Sequence, residues 1–119
     1  MRDCLNITKA LSDESRVRIV MFLRDGELCA CQIIEMLELA PSTISRHMAV
    51  LLQAGLVECR KCGKWHYYRL PGTGAPAPVQ NALVWLESAL AQSPVISADG
   101  KRLKALLKRD LKTLCARHK

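Results

Sequence analysis

The stretch from Ala40 to Val57 constrains this chain more than any other. Ile44, Met48, Leu51 and Leu52 recur at helical spacing, so one face of a helix there can enter a core. The opposite face carries Ser42, Thr43, Ser45, Arg46 and His47. Short hydroxyls, a guanidinium and an imidazole grouped in the first turns are side chains that hydrogen-bond phosphates and base edges in a DNA major groove. Ser42 is the expected N-cap, just after Pro41, and Gly55 stands where a left-handed C-cap would end the helix. By itself the pattern also fits an amphipathic core helix with a solvated polar face.

The flanking segments narrow the reading. Cys31–Glu38 predicts a short helix with Ile33, Met36 and Leu37 on one face, and Leu39-Ala40-Pro41 is the length of the turn between two such helices. Downstream, 56–60 and 65–70 predict two strands joined by Lys61-Cys62-Gly63-Lys64. Helix, turn, helix and basic-tipped hairpin make a mainly α fold with a small β-hairpin wing: a winged helix-turn-helix. Ser42, Thr43, Ser45, Arg46 and His47 are the expected groove-reading set, and Arg60, Lys61 and Lys64 the phosphate contacts of the wing.

Charge agrees with that placement. The net charge is +7, but residues 1–41 hold five basic and seven acidic side chains, whereas residues 42–69 hold five basic and one acidic. The expected DNA face is positive, as attraction to phosphate requires. Residues 99–119 hold eight basic and two acidic side chains, a tail that a solvated helix face explains equally well.

The chain is short, at 119 residues, and a second copy would help it bury its apolar stripes. It divides into a DNA-binding unit, 1–75, and C-terminal helices, 76–119, at the breaker-rich stretch 71–78. Leu5–Leu11 predicts a first helix. A second, capped by Ser12 or Asp13, runs to about Arg24 before Gly26. Val79–Ala91 predicts a helix with Val79, Leu83, Leu86 and Leu90 in a stripe. A last helix is expected over 99–117, with Leu103, Leu106, Leu107, Leu111 and Leu114 on one face. No apolar run approaches the roughly 18 residues of a membrane span, so a cytoplasmic location with no membrane partner is expected. His47, His66 and His118 are scattered, and the sequence has no carboxylate pair or phosphate-cradling glycine loop, which argues against an enzyme.

There are six cysteines. Cys29-Ala30-Cys31 is the sharpest chemical signal, because paired thiolates select soft ions: As(III), Sb(III), Cd(II), Pb(II) or zinc. Within a regular helix, positions i and i+2 lie about 200° apart, so both sulfurs can meet one ion only where the backbone is extended or distorted at a helix start. Gathering them there would strain the helix-turn-helix. Two small buried core cysteines are the alternative. Cys59 and Cys62 form a second, incomplete pair. It could contribute to a zinc site, close a redox disulfide, or have no role.

The runs 9–19, 26–31, 42–47, 54–57 and 67–70 resemble, in order and spacing, the ArsR/SmtB family of metal-sensing transcriptional repressors. The resemblance implies a dimer formed by the first and fifth helices, a near-palindromic double-stranded operator, a third strand near Glu27-Leu28, and repression relieved by arsenite or antimonite, or by cadmium or lead. Arsenic-responsive relatives often carry a third cysteine three residues after the pair; here that residue is Ile34. In cadmium and lead sensors, N-terminal cysteines complete the site from the other subunit, which makes Cys4 the expected third ligand. The fifth-helix zinc sites of relatives use His, Asp and Glu, and residues 76–92 offer only Glu87. The alternatives are a thiol-redox-sensing repressor of the same fold and a zinc-binding protein-interaction module.

Overall fold

A computed structural model describes residues 1–109. It contains α1 (Arg2–Ala10), α2 (Glu14–Phe22) with a 3-10 turn at Leu23–Asp25, β1 (Leu28–Cys29), α3 (Ala30–Leu37), α4 (Pro41–Gln53), β2 (Glu58–Cys62), β3 (Trp65–Arg69), α5 (Ala77–Ala89) and α6 (Pro94–Leu106). The three strands form one antiparallel sheet in the order β1-β3-β2.

Apolar spacing builds the centre. Ile19 and Val20 from α2, Ile33 and Met36 from α3, and Ile44, Met48 and Leu51 from α4 are all within a few per cent of full burial. Burying each such side chain contributes about 1.5–3 kcal/mol. Asp13 caps α2 by accepting from the Arg16 N–H at 3.1 Å.

α4 ends in a Schellman motif. The Leu56 N–H donates to the Leu51 carbonyl at 3.1 Å, and the Gly55 N–H to Leu52 at 3.0 Å, with Gly55 at φ +77°. Leu51 and Leu56, at the two ends of the motif, are both fully buried. The turn between α3 and α4 is Glu38-Leu39-Ala40, with Glu38 held in the left-handed region at φ +57°.

Several boundaries differ from expectation; α1 starts at Arg2 rather than Leu5 and α5 spans Ala77–Ala89 rather than 79–91. Ser42 is not the N-cap of α4: Ala40 holds that position, and Pro41 is the first helical residue, where its fixed φ suits a helix start and its missing N–H costs nothing. The strands run 58–62 and 65–69, so Lys61 and Cys62 belong to β2 and the loop shrinks to Gly63-Lys64. Gly63, at φ +62°, permits that two-residue turn. The last helix starts at Pro94 rather than near 99, because Ser93 caps it by accepting from the Ile96 N–H at 3.4 Å, and it ends at Leu106 with Leu107 as its C-cap, well short of 117. Leu111, Leu114, Cys115 and His118 lie outside the described residues.

α6 lies on α2 and α3. Arg18 of α2 makes a two-pronged ion pair with Asp99 at 2.8 and 2.9 Å, and this holds the guanidinium above its ordinary pKa. Arg102 donates to the Met36 carbonyl at the end of α3, and Arg109 pairs with Glu35, both at 3.1 Å. The C-terminal helix therefore braces the helix that leads into α4. Among the described residues, no helix is long and apolar enough to cross a membrane.

Candidate nucleic-acid interface and thiol site

Burial of Ile44, Met48 and Leu51 turns the other side of α4 outward. Ser42, Ser45 and Arg46 are exposed and Thr43 is half-exposed. The backbone ladder of α4 starts with Ile44 N–H to the Ala40 carbonyl. The N–H groups of Ser42 and Thr43 thus precede it, at the positive end of the helix. Ser42, Thr43, Ser45 and Arg46, four of the residues expected to read a groove, thus share the outward side of α4. His47, the fifth of that set, is set back: its side chain is only 15% exposed and sits against the start of α2. Its Nδ1 lies 3.2 Å from Arg16 Nη1 and 4.0 Å from Asp13 Oδ2.

On the wing, Lys61 and Lys64 are exposed. Arg60 is engaged elsewhere. It donates to both carboxylate oxygens of Glu27 at 2.8–3.2 Å, and its guanidinium lies 4.8 Å from the centre of the Tyr67 ring. The Arg60 bond lowers the Glu27 pKa from its ordinary 4.5, and Glu27 raises that of Arg60. This latch joins the wing to the residue two places before Cys29. A carboxylate with a lowered folded pKa stabilises the fold above its unfolded pKa and loses that contribution as pH falls through the folded one. The latch therefore holds through neutral pH and opens only in acid, as pH falls through the lowered Glu27 pKa. Glu27→Gln is expected to speed amide exchange of the β1–β3 pairs about two- to fivefold at pH 7, an effect shrinking with added salt. Unchanged exchange at low salt would show the latch to be inert.

Cys29 occupies the junction the chemistry needs. It is the last residue of β1, paired with Tyr67, and the N-cap of α3, with extended backbone at φ −76° and ψ 151°. Its N–H donates to Gln32 Oε1 at 2.8 Å, and its sulfur accepts from the Gln32 N–H, completing a capping box. Cys29 is 2% exposed. Cys31 is the second residue of α3, half-buried and disulfide-bonded in this structure. The pair thus straddles a strand-to-helix junction, where the 200° separation of a regular helix does not apply. Cys4 is an exposed thiol on α1. Among the described residues no three His, Cys, Asp or Glu side chains converge as a metal site.

Cys59 and Cys62 are both exposed on β2. Three residues of strand put their Cα atoms about 10 Å apart and their side chains on opposite faces. A disulfide spans at most about 7 Å, so the hairpin disulfide does not form within this strand, and the two sulfurs do not converge on one zinc. Tyr68, cross-strand from Cys59, has its phenol pKa pushed up by burial.

Sequence reasoning missed the links Arg16–His47, Glu27–Arg60 and Arg18–Asp99. Each joins residues far apart in the chain and shows no local pattern.

Residues 13–58 match the family model described as bacterial regulatory protein, arsR family. The chain is 45% identical over 67 residues to an arsenical resistance operon repressor from Escherichia coli, covering 56% of this chain and 57% of that one. It therefore spans little more than half that relative's length. A cadmium resistance transcriptional regulatory protein CadC homolog from Staphylococcus aureus is 36% identical over 83 residues, 69% of each protein. A homodimeric winged helix-turn-helix DNA-binding domain from Mycobacterium bovis superposes with a TM-score of 0.64 at 25% identity, over 78% of this chain and 82% of that one. With an α3-turn-α4 unit, a β2–β3 wing and these matches, the chain belongs to the ArsR family of transcriptional regulators, a family of regulators and not of enzymes.

Proposed function

We propose that this chain is a homodimeric repressor that binds a near-palindromic operator and releases it when a thiophilic ion binds at Cys29 and Cys31. The observation that carries the reading is the adjacency of two sites. The residue that caps α3 and pairs with the wing is a buried cysteine, and α3 leads through a three-residue turn into the exposed Ser42, Ser45 and Arg46 of α4. As(III) or Sb(III) is the first-choice inducer and Cd(II) or Pb(II) the second, in keeping with soft sulfur donors and with the names of the arsenical and cadmium relatives. Cys4 of the partner subunit is the proposed third ligand.

Met1 at the N-cap of α1 and Leu5 on it, and Val84 and Trp85 on α5, are large apolar side chains left exposed along two helices that pack together. They support a dimer through α1 and α5, and a two-fold dimer presents two α4 helices to successive major grooves.

Fluorescence anisotropy on a duplex from upstream of the chain's own gene, with reductant and without oxygen, tests the reading with and without arsenite. Tight binding abolished by arsenite is the expected result; no binding at low salt refutes it. Arg46→Ala is expected to weaken operator binding by about 1–3 kcal/mol and relax the preference at one base pair. Lys64→Ala is expected to weaken all sequences alike and reduce the salt slope by about 1. Equal losses on every sequence for both would contradict these roles.

The disulfide at Cys31 favours a second reading, a thiol-redox sensor of the same fold. Release by peroxide but not by anaerobic arsenite selects it.

A further inference from the structure

Arg16 is a three-way tie. Its Nε donates to the Ala10 carbonyl at 2.9 Å and its Nη2 to Lys9 at 3.1 Å, closing the end of α1. Its Nη1 lies 3.2 Å from His47 Nδ1 on α4. A guanidinium only donates, so Nδ1 is the acceptor and the proton of the neutral ring sits on Nε2. Asp13 Oδ2, the other charged group near the ring, is 4.0 Å from the same nitrogen and is already occupied in capping α2.

We propose that His47 is a positioning residue: by accepting from Arg16 it fixes the rotation of α4 against the end of α1, and it does not meet DNA. The proposal deepens the repressor reading and rests on it for its DNA arm. α1, which carries Cys4, is thereby wired to the helix bearing Ser42, Ser45 and Arg46. A change in how α1 ends is felt at the DNA face without passing through α3.

The test uses two substitutions that split the imidazole. Asparagine places an acceptor where Nδ1 stands, and glutamine places its amide where Nε2 stands. Binding of the full chain to the operator duplex, and to duplexes carrying single base-pair changes, is measured for both. His47→Asn is expected to stay within about twofold of the parent, while His47→Gln falls about tenfold on operator with the ranking of base-pair variants unchanged. Retention by His47→Gln with loss by His47→Asn, or relaxation at one base pair, would make His47 a reader of DNA and overturn the proposal. Nitrogen-15 spectra of the histidine rings in the free protein supply a readout independent of DNA. The expected form is Nε2–H with an unprotonated Nδ1. A protonated Nδ1 defeats the tie, whereas absent DNA binding with the expected ring form defeats only the repressor reading.

Discussion

Asp99→Ala is expected to lower the unfolding free energy by about 2–4 kcal/mol, read from the midpoint of urea unfolding followed by circular dichroism. The Asp99 side chain is 7% exposed and both its oxygens accept from Arg18. Removing it leaves a guanidinium packed beside Phe22 with only the weaker pull of Glu14, and the cost is dominated by that poorly paired charge. Arg18 keeps 22% exposure, so water offsets part of the penalty, which places the figure below that for a fully enclosed pair. The loss is expected to spread beyond α6. Arg102 of α6 and Arg109, three residues after its end, hold this segment to Met36 and Glu35 of α3, so a loosened α6 also loosens the first helix of the helix-turn-helix. Asp99→Asn, which keeps an acceptor, is expected to cost less. If alanine leaves the midpoint unchanged, α6 is an appendage and not a brace.

Periodicity and turn chemistry made much of this fold readable. Ile44, Met48 and Leu51 at helical spacing, Gly55 after them, Asp13 before α2 and Gly63 in the hairpin each act through local rules, and each holds its expected place. Local rules also misled. Ser42 after Pro41 reads as a cap, but proline is better placed inside the first turn than before it, which moves the cap back to Ala40. Ser93-Pro94 reads as a break, yet the same two residues start α6.

The candidate site was legible in its residue types and less so in its wiring. Arg46 and Ser45 stand out in the open as expected. Arg60 and His47 are also tied to Glu27 and Arg16, 33 and 31 residues away in the chain. An arginine on a wing is a phosphate contact by composition alone. Only the tertiary fold reveals a carboxylate that already occupies it, and Asp99 lies 81 residues from Arg18.

Cys29→Ser is expected to separate DNA binding from its control. The hydroxyl accepts a cap hydrogen bond as sulfur does, and the extended backbone that pairs Cys29 with Tyr67 suits either residue. Operator affinity is therefore expected within about threefold of the parent. The soft donor is gone, so the arsenite concentration needed for release is expected to rise about a hundredfold or more. The proposed coupling follows from where Cys29 sits. Cys29 is 2% exposed and its capping box ties it to the first turn of α3, so drawing its sulfur toward an ion would give up the side-chain half of that box and pull on β1. β1 is tied to the wing through Tyr67 and the Glu27–Arg60 latch, and α3 is tied to α4 by three residues; one displaced sulfur thus disturbs both elements proposed to touch DNA. Arsenic-edge X-ray absorption on the reduced, arsenite-loaded dimer provides the matching count: about three sulfurs for the parent, with one lost in Cys29→Ser and one in Cys4→Ser if the partner's α1 completes the site. Three sulfurs in Cys4→Ser would remove Cys4 from the site, and release of Cys29→Ser at the parent's arsenite concentration would remove Cys29 from the switch.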